Sequence, residues 1–316
     1  MPVRKKYAYS KDLKIYSFLK PPVFEPALPF VQLCMKFFYH TDFCEKDMKK
    51  ETEKIPVKDG AKIRMLIYTP EAVMAEKSPC IIFYHGGGFV YNAAPHHFTL
   101  AKNLARKLGV KVFFIDYRLA PEHPFPTAAE DAYYSYRYIY ENAEHYGIDR
   151  NRIALCGDSA GGNLSAVTCL IARDRDFTLP KAQVLLYPFV DGDTETESML
   201  EFTDTPMCNS KAAVGYNKAY IKEENKYPAE WFSVVDAESL ENLPEAYIET
   251  AQFDCLRDGG VKYYNRLCQS GVKATLFQTK GTMHGYDIAT GSAVYALCMD
   301  KRTEFLRRVF EDKETV

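Results

Sequence analysis

Three groups of residues have types and spacings that could do chemistry together. The first is Cys156-Gly157-Asp158-Ser159-Ala160-Gly161-Gly162, which follows the apolar run Ile153-Ala154-Leu155 directly. Gly157-x-Ser159-x-Gly161 has the form G-x-S-x-G, in which a tight strand-to-helix reversal holds one hydroxyl in the open. Side chains at 157 and 161 would collide with neighbouring backbone, and Ser159 is expected in a strained conformation. The helix N-terminus behind it favours developing negative charge. A plain tight turn can carry the same five residues, so the pattern needs partners.

A serine hydroxyl becomes a nucleophile beside a base. The histidines stand at 40, 85, 96, 97, 123, 145 and 284. An elbow of this kind is followed in chain order by an acid and then a histidine. Only His284, in the glycine-flanked "GTMHGY", follows Ser159. The acid should lie between them, just past a strand. Asp254 in "AYIETAQFDCLRDGG" has that position, and Asp191 after "LLYP" is the runner-up. Glu249 lies inside its strand and would have to point into the core, and Asp258 falls in the next helix. The acid's task is to fix the imidazole tautomer and stabilise the imidazolium.

The third group is "YHGGGF", residues 84–89. Consecutive glycines after a strand let backbone N–H groups turn toward a small space that can host a tetrahedral oxyanion. The expected donors are Gly86 or Gly87 together with Ala160. Phosphate binding, the other common use of such loops, lacks its lysine and its G-x-G-x-x-G spacing here. His85 is expected to brace the loop, and Phe89 and Tyr91 are candidate substrate contacts.

These groups need rigid elements behind them. "TEKIPVKDGAKIRMLIYTP" alternates around Asp59-Gly60, a hairpin signal. Six short apolar runs follow, at 80–84, 110–116, 152–156, 182–188, 246–251 and 274–279. Runs buried on both faces indicate parallel strands. Helices alternate with them: one from near Pro95 to before Gly109, one from near Pro126 to before Gly147, one beginning at Ser159, and one ending before Gly271. The expected fold is α/β, an eight-stranded, mostly parallel sheet with helices on both faces. Residues 1–50 and 189–243 break the rhythm. They are expected to form a helical cap over a core of residues 51–188 and 244–316.

Composition excludes some partners. The 316 residues are 47% hydrophobic and 26% charged with a formal net charge of -2, which gives nucleic acid no general attraction. The Arg4-Lys5-Lys6 and Lys49-Lys50 runs are too short for a binding patch. No run reaches the roughly 20 apolar residues of a membrane span. The N-terminus has no apolar stretch of signal-peptide length. Nine cysteines, odd in number and without a CxxC pair, point to no zinc site and no disulfide framework. Cys80, Cys156 and Cys169 read as small hydrophobes in a reduced cytoplasm.

"HGGGF", "YRLAPEHPFPTAAED", "GDSAGGN", "LLYP", "FDCLRDGG" and "MHG" occur in this order over roughly residues 80 to 290. Together they resemble the hormone-sensitive lipase family of α/β-hydrolases, particularly its bacterial esterase branch. The resemblance implies an α/β-hydrolase fold and a triad of Ser159, Asp254 and His284. It also implies oxyanion donors among Gly86, Gly87 and Ala160, a mostly helical cap, and no cofactor or metal. Glu122 and His123 fall in what looks like the family's structural loop. The activity implied is hydrolysis of small carboxylic esters. Apart from the resemblance, short acyl groups are expected to be favoured where Tyr91 and cap aromatics among Phe18, Phe24, Phe30, Phe37, Phe38, Tyr216, Tyr220, Trp231 and Phe232 face the site; the equal alternative for each ring is to pack the cap onto the core. No exposed apolar helix for a lipid surface is expected. Activity should fall on acidification about one unit either side of pH 6.5 as His284 takes a proton. An amide or peptide hydrolase is the nearer alternative. A non-catalytic receptor on the same scaffold is the other, and the presence of His284 speaks against it. The resemblance also allows a homodimer.

Overall fold

The computed structural model describes residues 7–20, 28–39, 42–73, 77–222 and 227–312. The hairpin forms where the alternation requires it. β1 (Met48–Pro56) and β2 (Lys62–Pro70) pair antiparallel with Pro56 opposite Lys62, and Gly60 takes the turn at φ +80°. β3 (Ser78–Tyr84), β4 (Lys111–Asp116), β5 (Ile148–Asp158), β6 (Ala182–Leu186), β7 (Glu245–Phe253) and β8 (Ala274–Met283) follow. The sheet order is β1-β2-β4-β3-β5-β6-β7-β8. β2 meets β4 antiparallel, and every pairing from β4 to β8 is parallel.

Alternation along the central strands feeds two cores. Cys80, Ile82 and Tyr84 of β3 and Ile153 and Leu155 of β5 join one apolar cluster. Ile81, Phe83, Ala154 and Cys156 join the other. A strand buried on both sides needs apolar residues at every position, which is why these runs are continuous. α3 (Thr127–Glu141), α4 (Ala160–Asp174) and α7 (Arg257–Gln269) cover the first face. α2 (Pro95–Leu108) and α8 (Ala293–Glu311) cover the second. α2 begins on Pro95 and is closed by Gly109 in the left-handed region, as its sequence signals require. α3 stops at Glu141, short of Gly147. Turns fill the gap, and Ile148 N–H returns to the Ala143 carbonyl at 2.9 Å to enter β5.

Described residues of both segments outside the rhythm reach the carboxyl ends of the strands, where Met35 and Tyr216 line the same cavity as Ser159. Residues 28–39 carry α1 (Leu28–Lys36). Residues 189–243 carry α5 (Glu197–Glu201), α6 (Ser210–Tyr220) and single helical turns, with no strand among the described residues. The N-terminal segment departs from expectation in one respect. Ile15, Phe18, Leu19, Phe30, Leu33, Phe37 and Phe43 are exposed, so it presents apolar side chains to solvent.

Candidate active site

Each candidate group sits at the carboxyl end of a parallel strand, where open α/β sheets gather their ligands. Ser159 occupies the turn between β5 and α4 at φ 52°, ψ −117°. Such a conformation costs a non-glycine residue about 1–3 kcal/mol and persists only when the surroundings fix it. Here they do: Ser159 N–H donates to the Leu186 carbonyl at 2.9 Å, and the Ser159 carbonyl accepts from Phe189 N–H at 3.0 Å. The glycines make the turn passable. A Cβ at Gly157 would overlap the Gly161 backbone, and one at Gly161 would overlap the Tyr84 carbonyl. Gly162 is needed too, since its Cβ would lie 2.7 Å from Pro188.

Asp254 follows β7 and His284 follows β8. Asp254 is fully buried. Its Oδ1 accepts from Leu256 N–H at 3.0 Å, and its Oδ2 lies 2.8 Å from His284 Nδ1. An ionised carboxylate only accepts, so the imidazole proton sits on Nδ1. Nε2 is then free to accept from Ser159 Oγ, 2.9 Å away. Burial disfavours the imidazolium, but the Asp254 carboxylate, with the neighbouring Cys208 and Asp158, outweighs it and lifts the His284 pKa to about 9. Asp191 is elsewhere: its Oδ2 pairs with Lys262 Nζ at 3.0 Å. Asp258 accepts from Ser198 N–H at 2.7 Å.

The glycine loop corrects one expectation. Gly86 N–H donates to Asp158 Oδ1 at 2.9 Å, so it cannot also serve an oxyanion. Gly87 and Gly88 line the serine cavity instead, both at positive φ (126° and 59°). Ala160 opens α4, where helix N–H groups have no intrahelical acceptor. His85 braces the loop as expected. It is buried, stacks on Tyr117 with centroids 4.5 Å apart, and its carbonyl accepts from Tyr117 Oη at 2.7 Å. Burial pushes its pKa down to about 4, so it stays neutral.

The cavity above Ser159 measures about 190 Å³. Met35 of α1, Tyr91, Met207, Cys208 and Tyr216 wall it, and Tyr91 and Tyr216 meet edge to face at 5.7 Å. Tyr91 is thus a lining residue. Phe89 is not. It is buried and stacks on Tyr220 at 4.1 Å, packing cap onto core. Of the cap aromatics, Tyr216 faces the cavity. Tyr220 and Phe232 pack inward, and Phe18, Phe30 and Phe37 point to solvent. Phe24 lies outside the described residues.

Comparison with known proteins gives the family. A family described by the alpha/beta hydrolase fold matches residues 81–288. The chain belongs to that family of α/β-hydrolases. An arylesterase of Saccharolobus solfataricus is 35% identical over 76% of this chain and 78% of its own. Carboxylesterase NlhH of Mycobacterium tuberculosis is 35% identical over 71% of each. The solved structure of a bacterial heroin esterase superposes with a TM-score of 0.88 at 31% identity, covering 96% of this chain and 99% of that one. No helix among the described residues is long and apolar enough to cross a membrane.

Two buried networks in the hydrolase escaped sequence reasoning. In the first, Asp158 Oδ2 lies 3.2 Å from His97 Nε2 while its other oxygen holds Gly86. His97 Nδ1 accepts from Ala94 N–H at 2.9 Å, so the ring proton is on Nε2 and points at Asp158. Burial works to raise the Asp158 pKa, but His97, His96 and the Gly86 N–H bring it down to about 2. The second lies beneath the histidine loop. Arg302 of α8 is fully buried and pairs with Glu249 at 2.5 Å and with Asp287 at 2.9 Å. Asp287 also accepts from Tyr187 Oη at 2.8 Å, and the Tyr187 ring backs His284 with centroids 5.1 Å apart. Glu249 does point into the core, as its strand position implied. The signal missed was the complementary arginine more than fifty residues later, which periodicity on an amphipathic helix does not single out.

Proposed function

We propose that this carboxylic-ester hydrolase works through an acyl-enzyme on Ser159 and prefers short-acyl esters. Ser159 Oγ attacks the ester carbonyl carbon while its proton passes to His284 Nε2. Asp254 holds the imidazole in the required tautomer and stabilises the imidazolium. The N–H groups of Gly87, Gly88 and Ala160 receive the developing oxyanion. Collapse expels the alcohol, which takes the proton from His284. Water, deprotonated by the same imidazole, then releases the acid. The steps require no metal or organic cofactor.

The observation carrying this reading is the relay of 2.9 and 2.8 Å from Ser159 through His284 to Asp254 at the floor of a cavity. Residues 1–50 and 189–243 act as the cap over residues 51–188 and 244–316, since Met35 and Tyr216 both wall the cavity. The short-acyl preference rests on its volume. About 190 Å³ is below the roughly 300–1,000 Å³ of sites for drug-sized ligands. Each methylene accommodated gains about 0.8 kcal/mol, so a long groove would raise specificity steadily with chain length. The test is kcat/KM across p-nitrophenyl esters from acetate to palmitate. The expected profile peaks between about two and six carbons and then falls as the chain outgrows the pocket. Ser159→Ala should abolish it, with a loss on the order of 10⁴ to 10⁶ in turnover. A maximum at ten carbons or more overturns the acyl assignment. A Ser159→Ala enzyme within tenfold of wild type overturns the nucleophile.

A further inference from the structure

One more polar group borders the serine cavity. Asn92 follows Tyr91 in the segment after the glycine loop. It lines the cavity with Ser159, Gly87, Gly88 and His284 and is 4% exposed. Its Oδ1 is buried, with no hydrogen-bond partner among the described residues. The backbone around it is fixed. Tyr91 N–H donates to the Gly87 carbonyl at 2.9 Å, and Ala94 N–H donates to His97 Nδ1 at 2.9 Å. Gln32 Nε2 of α1 ties the Val90 and Ala120 carbonyls at 2.7 and 2.9 Å. Buried acceptors are nearly always paired, because an unpaired one costs free energy. Acyl transfer at Ser159 has no use for this one.

We propose that Asn92 is a specificity-determining residue whose Oδ1 accepts a hydrogen bond from a hydroxyl on the substrate, so that the favoured substrates are hydroxy esters. The inference rests on the ester-hydrolase reading above and names the substrate class of that same site. An amide oxygen only accepts, so the substrate group must be a donor. A substrate carboxylate offers none. An ammonium needs a counter-charge, and the Asp158 carboxylate in the wall already holds Gly86 N–H and His97 Nε2–H. A hydroxyl is uncharged and adds a single heavy atom, which suits a cavity of about 190 Å³. It sits on the acyl or the alcohol side, close to the ester group, since Asn92 shares the cavity with Ser159.

Selectivity follows from what happens without the hydroxyl. A methyl group in its place fills the same space and leaves Oδ1 facing no donor in a closed site. One buried acceptor left unpaired corresponds to a penalty of about 10- to 10²-fold. A wall with only apolar groups would favour the methyl instead. The direction of the preference therefore reports the acceptor.

The test compares isosteric pairs on the full chain. On the acyl side, the p-nitrophenyl ester of each β-hydroxybutyrate enantiomer is set against that of isovalerate. On the alcohol side, ethylene glycol monobutyrate is set against propyl butyrate, followed by pH-stat. Each ratio of kcat/KM is divided by the ratio of the two alkaline hydrolysis rates, which removes intrinsic reactivity. At least one pair should favour the hydroxyl by about fivefold or more, and the pair that does so names the side. In Asn92→Leu, which removes the amide and keeps its bulk, that ratio should fall to one or below, whatever happens to the absolute rates. If that variant folds poorly, Asn92→Ala replaces it, and the wild-type ratios stand independently of both. Wild-type ratios below about fivefold for both pairs, or a hydroxyl preference that survives in the Asn92 variant, overturn the proposal. Failure of the serine reading shows differently: Ser159→Ala would then hydrolyse both members of a pair at wild-type rates, whatever their ratio.

Discussion

Replacing Asp158 by asparagine is the sharpest perturbation of the oxyanion loop, because the carboxylate serves two fixed donors at once. Oδ1 takes Gly86 N–H at 2.9 Å, and Oδ2 takes His97 Nε2–H at 3.2 Å. His97 cannot change tautomer without abandoning its bond from Ala94 N–H. Asparagine offers one acceptor oxygen, so whichever way it turns, its NH₂ faces a buried donor. An unsatisfied buried donor costs about 1–3 kcal/mol. This predicts a stability loss of about 1–3 kcal/mol. Because the folded pKa is depressed, this stabilisation is present above pH 3.8 and is lost as pH falls through about 2. The difference from wild type should therefore be complete at neutral pH. In catalysis, full loss of one oxyanion donor costs about 10² to 10³ in kcat, and a loosened loop should lose about 10 to 100-fold with little change in KM. The assays are kcat and KM on p-nitrophenyl butyrate and the urea midpoint. A variant with kcat within twofold of wild type and an unchanged midpoint would refute the reasoning.

Two further outcomes separate the roles of the carboxylates and the imidazole. Asp254→Asn should lower kcat by about 10⁴, whereas Asp191→Asn, which only loses its Lys262 partner, should stay within a few-fold; the reverse ranking would move the acid to another residue. The acid limb of kcat/KM should have its midpoint above 6.5, displaced toward 9, because His284 must be neutral to act as base and Asp254 holds its proton. An unperturbed imidazole would place that midpoint near 6.5, and a measured midpoint at or below 6.5 in the free enzyme would remove the upward shift.

The scaffold was legible wherever a local rule dictated it. Apolar runs at both-face-buried strands, Gly109 past α2 and the paired glycines at 157 and 161 each have a cause within a few residues. What stayed hidden depends on contacts between distant segments. Gly86 and Gly87 look alike in "HGGGF", and only the Asp158 carboxylate approaching from β5 distinguishes the occupied N–H from those facing the cavity. Phe89 and Tyr91 are two residues apart and equally aromatic, yet Tyr220 captures one ring while the other edges onto Tyr216. α3 ended early for a related reason: helix signals continue past Glu141, but the chain has to turn back to reach β5.

The buried Arg302 has a consequence for how the protein comes into being. Ser159 and the glycine loop leave the ribosome long before Arg302 does, and the strands that carry them can pair as they emerge. Glu249 and Asp287, two carboxylates closed into the interior around His284, have no compensating charge until α8 arrives. An uncompensated buried carboxylate is costly enough to keep such a region open. The histidine half of the site therefore depends on the docking of α8, the last helix among the described residues, far in sequence from the nucleophile it serves.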